Sequence, residues 1–570
     1  MENTVFGAGQ KMFTNPILSG FYPDPSVCRV DSNYYLVNST FSYYPGIPVF
    51  HSRDLVHWEL LGYAMDRAGQ LNLDSLGVSR GIFAPAINHY RGTFYITSTV
   101  VDGGGNFVIT AQDPAGPWSK PVWLPEVNGI DPSLFFDTDG KAYLVYNSIP
   151  PNNSPKYQGH RTIRIREFNT DNLGTRDEEY ILVNGGTDIS NEPIWIEGPH
   201  LFHLTETGKD PTGNDGYYYL IAAEGGTGYE HSEVVFRSKN VFGPYTPFED
   251  NPILTQRDLP PDREHPITST GHADMVRTVD GDWWATFLGC RPYEPYEKDY
   301  YNTGRETFLT PVEWIEGWPI INPDHEEVQY QYPYPVSAAE ETPQSPYGGD
   351  ISYTDDFETE KLDLNWMFLR TVHEEWYALN SEDGTLRIQV RPETCAGKGN
   401  PSFLGRRQQN LYCSASTRLS FSPRYDGEKA GLLIFQNGDH FYYLCKSSEN
   451  GRQVVQLFRS VAEDTATGEM KLLNSRFLDD DTGDLWLKIT AEGNTYSFHF
   501  ATEAAQWILL RGELDASFLS TKVAGGFVGA FFALYTTSLG QPSENSAVYD
   551  WFKYEGTHPV FSKKNVKKSE

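Results

Sequence analysis

From Asn15 to residue 325, apolar and polar positions alternate in short runs broken by Gly, Pro, Asn and Asp, and long amphipathic helical periods are missing. Such period-two runs between frequent turn residues mark half-buried strands. One unit recurs: a Gly- or Pro-bearing loop, a short apolar strand, a turn and an aromatic strand. Residues 20–27 (Gly-Phe-Tyr-Pro-Asp-Pro-Ser-Val) precede Tyr34-Tyr35-Leu36-Val37, and residues 81–87 precede Thr93-Phe94-Tyr95-Ile96-Thr97. Residues 129–135 precede Ala142-Tyr143-Leu144-Val145-Tyr146, residues 196–202 precede Tyr217-Tyr218-Tyr219-Leu220, and residues 271–276 precede Trp283-Trp284-Ala285-Thr286-Phe287. Copies at intervals of about 45 to 75 residues, each with several short strands, predict a β-propeller of four-stranded blades; a β-sandwich is the competing fold.

Downstream, the pattern changes twice. Residues 326–350 are rich in proline and turn residues and read as a linker. Residues 351–557 return to strands at a spacing of about ten residues with tight turns, which predicts a second, β-sandwich domain. Residues 1–14 read as a polar lead-in and residues 558–570 as a basic tail. The all-β expectation is therefore a propeller over 15–325 joined to a sandwich over 351–557.

Composition narrows the partners. Of the 570 residues 14% are aromatic, which suits sheets and flat faces for stacking on sugars or bases. A net charge of −31 argues against nucleic acid and against anionic membranes, leaving a neutral small molecule or polysaccharide. Five cysteines without paired spacing (Cys28, Cys290, Cys395, Cys413, Cys445) form neither a zinc motif nor a disulfide framework. The N-terminus lacks the layout of a secretory signal, so the expected compartment is the cytoplasm.

Three repeats carry a carboxylate at or within a residue or two of the same point: Asp24, Asp131 and Glu197. A propeller delivers one loop per blade to a common funnel, so acids distant in sequence can converge there. Cleaving a glycosidic bond needs an acid on the leaving oxygen and a second carboxylate across the sugar; a third can raise the pKa of the acid by like-charge repulsion. A lone Asp-Pro is usually a turn device, but three acids in register are not explained that way.

The motifs Tyr-Pro-Asp-Pro-Ser-Val, Gly-Ile-Asp-Pro-Ser-Leu, Glu-Gly-Pro-His-Leu, Ala-Glu-Gly-Gly-Thr, Thr-Gly-His-Ala-Asp-Met and Gly-Arg-Glu-Thr occur in this order. As a set they resemble glycoside hydrolase family 43, in particular its β-xylosidases and α-L-arabinofuranosidases with a C-terminal β-sandwich of the concanavalin type. The resemblance implies a five-bladed propeller and an inverting reaction with Asp24 as general base, Glu197 as general acid and Asp131 as pKa modulator. Room for a water nucleophile then requires the Asp24 and Glu197 carboxyls to stand about 6.5–9.5 Å apart. It further implies sugar contacts from Arg305, Phe41, Phe83, His272 and Arg291. Relatives often carry Trp where Phe83 stands, so stacking is kept and an indole donor lost.

No cofactor is required on this reading, although a structural calcium near His272 at the propeller axis is an expectation. Glu224 and His231 are expected to support a loop, Tyr43 and Tyr44 to belong either to the pocket or to the core, and Phe527 of the sandwich to reach the pocket rim. The expected activity is exo-acting release of xylose from β-1,4-xylo-oligosaccharides, with or without α-L-arabinofuranosidase activity on arabinoxylan fragments. The alternatives are a mainly arabinofuranosidic enzyme and a non-catalytic carbohydrate-binding protein. Oligomeric state is not readable from the chain.

Overall fold

A computed structural model describes residues 11–204, 216–336, 346–461, 469–479 and 482–561. Strands dominate; the longest α-helix among the described residues is the single turn Thr521–Ala524. The predicted repeats form five sheets of four or five strands, each starting from an innermost strand: Ser26–Val30, Ala86–Tyr90, Gly129–Phe136, Glu197–Leu204 and Thr268–Arg277. Each innermost strand packs on the next and the fifth returns to the first, so the five blades close a ring. The aromatic strand of each repeat is the second strand of its blade, where its side chains fill the space between sheets.

Asn15 seals the ring. Its side-chain amide donates to Leu309 O at 2.9 Å and its Oδ1 accepts from Leu309 N at 3.0 Å, which ties the start of the propeller to blade five. The segment expected as a lead-in already contributes a strand at Met12–Thr14, paired with Gln331–Pro333 from the stretch expected as a linker. Tyr332 and Tyr347 of that stretch are buried, so its aromatic content, not its prolines, decides its placement. Residues 1–10 of the lead-in, 337–345 of the linker and 562–570 of the basic tail lie outside the described residues.

The C-terminal domain is a sandwich of two eight-stranded sheets. One of these sheets does not end at the domain boundary: Tyr43 and Tyr44 of blade one pair with Leu369 and Phe368 and form its outermost strand. Tyr43 also stacks on Phe531, with ring centroids 4.1 Å apart. Tyr43 and Tyr44 are therefore core residues of the joint and not pocket walls. A shared sheet and a shared apolar core hold the sandwich rigidly against one face of the propeller, which brings its loop at Phe527 over the funnel.

Candidate active site

The innermost strands are bent where they meet the funnel. Asp24, Asp131, Gly198 and His272 occupy equivalent positions in blades one, three, four and five, with φ of 53°, 54°, 57° and 54°. In blades three, four and five the ladder register shifts at this point, between Ile130 and Ser133, between Glu197 and His200, and around Gly271. Bulges re-aim side chains, and a left-handed residue costs an L-amino acid about 1–2 kcal/mol. The repeated strain turns these side chains into the axis instead of the blade core. Blade four uses glycine at the strained position and carries its acid one residue earlier, at Glu197. A Cβ on Gly198 would stand 2.8 Å from Nε2 of His272, so blade four has no room for a side chain there.

All three carboxylates line one cavity of about 590 Å³, together with His272, Arg305, Phe41, Phe83 and Phe527. Asp24 is buried and fully partnered: Ser39 Oγ donates to Oδ2 at 2.6 Å and Arg305 Nη1 to Oδ1 at 2.8 Å, while His272 Nδ1 lies 3.8 Å from Oδ1. Burial raises the Asp24 carboxyl, but Arg305, His272 and the Ser39 hydroxyl together outweigh it and hold the group below the usual range. Asp131 accepts from the Gly198 amide at 3.1 Å; burial and the Asp24 charge push it up to about 7.

The Glu197 side chain makes no hydrogen bond or ion pair among the described residues, and burial followed by the charges of Asp131 and Asp24 raises it well above its ordinary value. Opposite displacement of two carboxyls in one cavity is the signature of an acid and a base assigned by environment. His272 is held neutral, its pKa lowered to about 4, chiefly by burial. Its Nδ1 lies 3.8 Å from Asp24 Oδ1, and among the described residues no group of three or more His, Cys, Asp or Glu is placed to hold a metal ion.

The apolar side of the cavity is aromatic. Phe41 lies 5.0 Å from Phe83 and 5.8 Å from Phe527 between centroids, and Arg305 Cζ stands 5.8 Å over Phe41. Phe527 comes from the sandwich, with its amide fixed by Ser79 Oγ of the propeller at 2.9 Å. The sandwich thus supplies part of the wall of the cavity.

Arg291 does not line the cavity, contrary to the sequence expectation. It is fully buried and forks onto Glu306, Nε to Oε2 at 2.6 Å and Nη2 to Oε1 at 2.7 Å, with a further bond from Nη2 to Gln409 O of the sandwich at 2.9 Å. Glu306 sits beside Arg305 and its Oε1 accepts from Gly20 N, 2.6 Å away at the start of the Asp24 loop. A guanidinium opposite a bidentate carboxylate satisfies both charges, so Arg291 turns away from the funnel to meet the buried Glu306. The pair braces the Asp24 and Arg305 loops. Glu224 supports a loop as expected, accepting from Thr187 N at 2.9 Å, and His231 packs against Gly271 with Nδ1 3.0 Å from Ser269 O.

Sequence reading missed Arg80, Arg161 and Trp195, all of which line the cavity. They lie on long connections and not on the repeated motifs. The one available signal is that Trp195 stands two residues before Glu197.

A five-bladed propeller that gathers Asp24, Asp131 and Glu197 into one cavity has the carboxylates a glycoside hydrolase needs. The model of the glycosyl hydrolases family 43 matches residues 13–319, and that of the beta xylosidase C-terminal concanavalin A-like domain matches residues 354–555. The chain belongs to glycosyl hydrolase family 43. It is 37% identical to a non-reducing end alpha-L-arabinofuranosidase of Bacteroides ovatus, over 96% of this chain and 95% of that one. It is also 37% identical to a xylosidase/arabinosidase of Butyrivibrio fibrisolvens, over 95% of this chain and 99% of that one. The solved xylan beta-1,4-xylosidase of Bacillus halodurans superposes with a TM-score of 0.82 at 30% identity, covering 95% of this chain and 100% of that one.

Proposed function

We propose that the protein is an exo-acting, inverting glycosidase that releases xylose from the non-reducing ends of β-1,4-xylo-oligosaccharides and also removes terminal α-L-arabinofuranose. One observation carries the reading: Asp24 is charged and clamped by Arg305 and Ser39, whereas Glu197 in the same cavity has no partner and is raised. Asp24 takes a proton from water as the water oxygen bonds to the anomeric carbon. The bond to the leaving oxygen breaks, and Glu197 gives that oxygen its proton. Attack opposite the leaving group inverts the anomeric centre. Asp131 keeps Glu197 protonated through its charge and fixes the Gly198 amide beside it.

Arg305, which also reaches Thr227 Oγ1 and Phe527 O, is the contact for sugar hydroxyls in this reading, and Phe41, Phe83 and Phe527 enclose the terminal sugar. A wall contributed by a second domain closes one side of the cavity, which suits a chain end better than a mid-chain segment. The dual specificity is supported by a relative named for both activities at 37% identity. Assays of xylobiose, an aryl β-xyloside and an aryl α-L-arabinofuranoside test it. Turnover of both glycosides is expected; turnover of the arabinoside alone would move the assignment to an arabinofuranosidase, and binding without turnover of any would leave a carbohydrate-binding protein.

A further inference from the structure

Three arginines line the cavity, and two are paired. Arg305 donates to Asp24 at 2.8 Å, and Arg80 forks onto Asp102 at 2.6 and 2.9 Å. Arg161 differs. Its guanidinium makes no hydrogen bond or ion pair among the described residues and instead lies over the Trp195 indole, with Cζ 3.9 Å from the ring centroid. In a chain of net charge −31, a cation left without a carboxylate partner in a cavity stands out. Stacking holds one face of the guanidinium and leaves its N–H edge to serve something else.

Its position says what. Arg161 and Glu197 line the same cavity and Arg161 rides on Trp195, two residues before Glu197, whereas Asp24 is paired with Arg305. Trp195 is locked to the same strand entry: its amide donates to Gly159 O at 3.0 Å, and Asn147 Nδ2 donates to Ile196 O, between Trp195 and Glu197, at 2.5 Å. Gly159, with φ of 86°, packs so closely on Ile194 and Trp195 that a Cβ there would meet them at 3.1 and 3.4 Å. Arg161, Trp195 and Glu197 therefore form one unit of the cavity lining, separate from the Asp24–Arg305 pair.

We infer that Arg161, carried on Trp195, is a specificity residue for the leaving group: it donates to the hydroxyls of the sugar unit released on the Glu197 side. The inference rests on Glu197 being the acid, because the acid marks where the leaving oxygen lies. The class of leaving group is a hydroxyl-bearing pyranose such as a second xylosyl unit; an aryl group offers no acceptor in the same place.

The test is calorimetric titration of xylose and xylobiose into Asp24→Asn protein, which keeps Glu197 and Arg161 intact, with and without Arg161→Met and Arg161→Lys. Xylobiose is expected to bind about tenfold more tightly than xylose, the scale of charge-assisted hydrogen bonds. Arg161→Met should bring the two to within about twofold, and Arg161→Lys should recover about threefold at most, because an ammonium lacks the fork. Unaltered xylose affinity in the variants reports an intact fold. Retention of the full xylobiose advantage in Arg161→Met would overturn the inference, as would complete rescue by lysine, which would mean a point charge acting through Glu197. Equal affinity of xylose and xylobiose before any change at Arg161 would overturn it too. Turnover by the unmodified enzyme is scored separately and bears on the proposed function alone.

Discussion

Asp131 accepts a hydrogen bond from the amide of Gly198, the residue that follows Glu197, at 3.1 Å. One carboxylate thus fixes the backbone that carries the other while its charge opposes that other's ionisation. Asp131→Asn keeps an acceptor for the amide and deletes the charge, so the two contributions separate. The Glu197 pKa should fall, and because the proposed reaction uses Glu197 protonated, the alkaline limb of the pH–rate profile should move to lower pH. A profile on xylobiose checks this; an unmoved alkaline limb counts against the assignment.

Glu197→Ala should separate substrates by leaving group. On xylobiose the loss should reach about 10²–10⁴-fold, the usual contribution of a positioned acid, whereas an aryl xyloside with an acidic leaving phenol should lose far less. Steady-state kinetics on the two substrates give the comparison, and equal losses would remove Glu197 from the role.

Gly198→Ala tests the bend in blade four. The residue has φ of 57° and no space for a Cβ beside His272. The substitution should cost about 1–2 kcal/mol in backbone strain, seen as a lowered urea midpoint. It should also displace Glu197 and lower kcat by about 10²-fold, the order expected for a misplacement near 1 Å.

The Arg291–Glu306 pair is structural, and breaking it leaves a buried charge alone. Arg291→Met should destabilise the protein by about 3–5 kcal/mol, while Arg291→Met combined with Glu306→Leu should cost less than the single change. Denaturant titrations of the three proteins measure both. A single substitution without effect on stability would return Arg291 to consideration as a substrate ligand.

The propeller was legible because its repeats combine period-two alternation with aromatic strands, and Asp24 and Asp131 because a strained Asp-Pro recurs in register. Glu197 was legible only as a near match, since blade four moved its acid one position to make room for His272. Arg291 misled because a strand end in a propeller points either to the funnel or back into the fold, and the choice was made by Glu306, a neighbour across the strand pair Gly289–Glu306. Arg161 and Trp195 were out of reach because two long connections meet only in the folded chain. The stretch 326–350 read as a linker from its prolines, yet Tyr332 and Tyr347 are buried and tie it to the fold.

The central claim is inversion with Asp24 as base and Glu197 as acid. Proton NMR of xylobiose hydrolysis, recorded before mutarotation, tests it most directly. The account predicts that α-xylose appears first at the cleaved end and that Asp24→Ala abolishes the signal. First appearance of β-xylose would contradict it, because retention requires a nucleophile in place of a base.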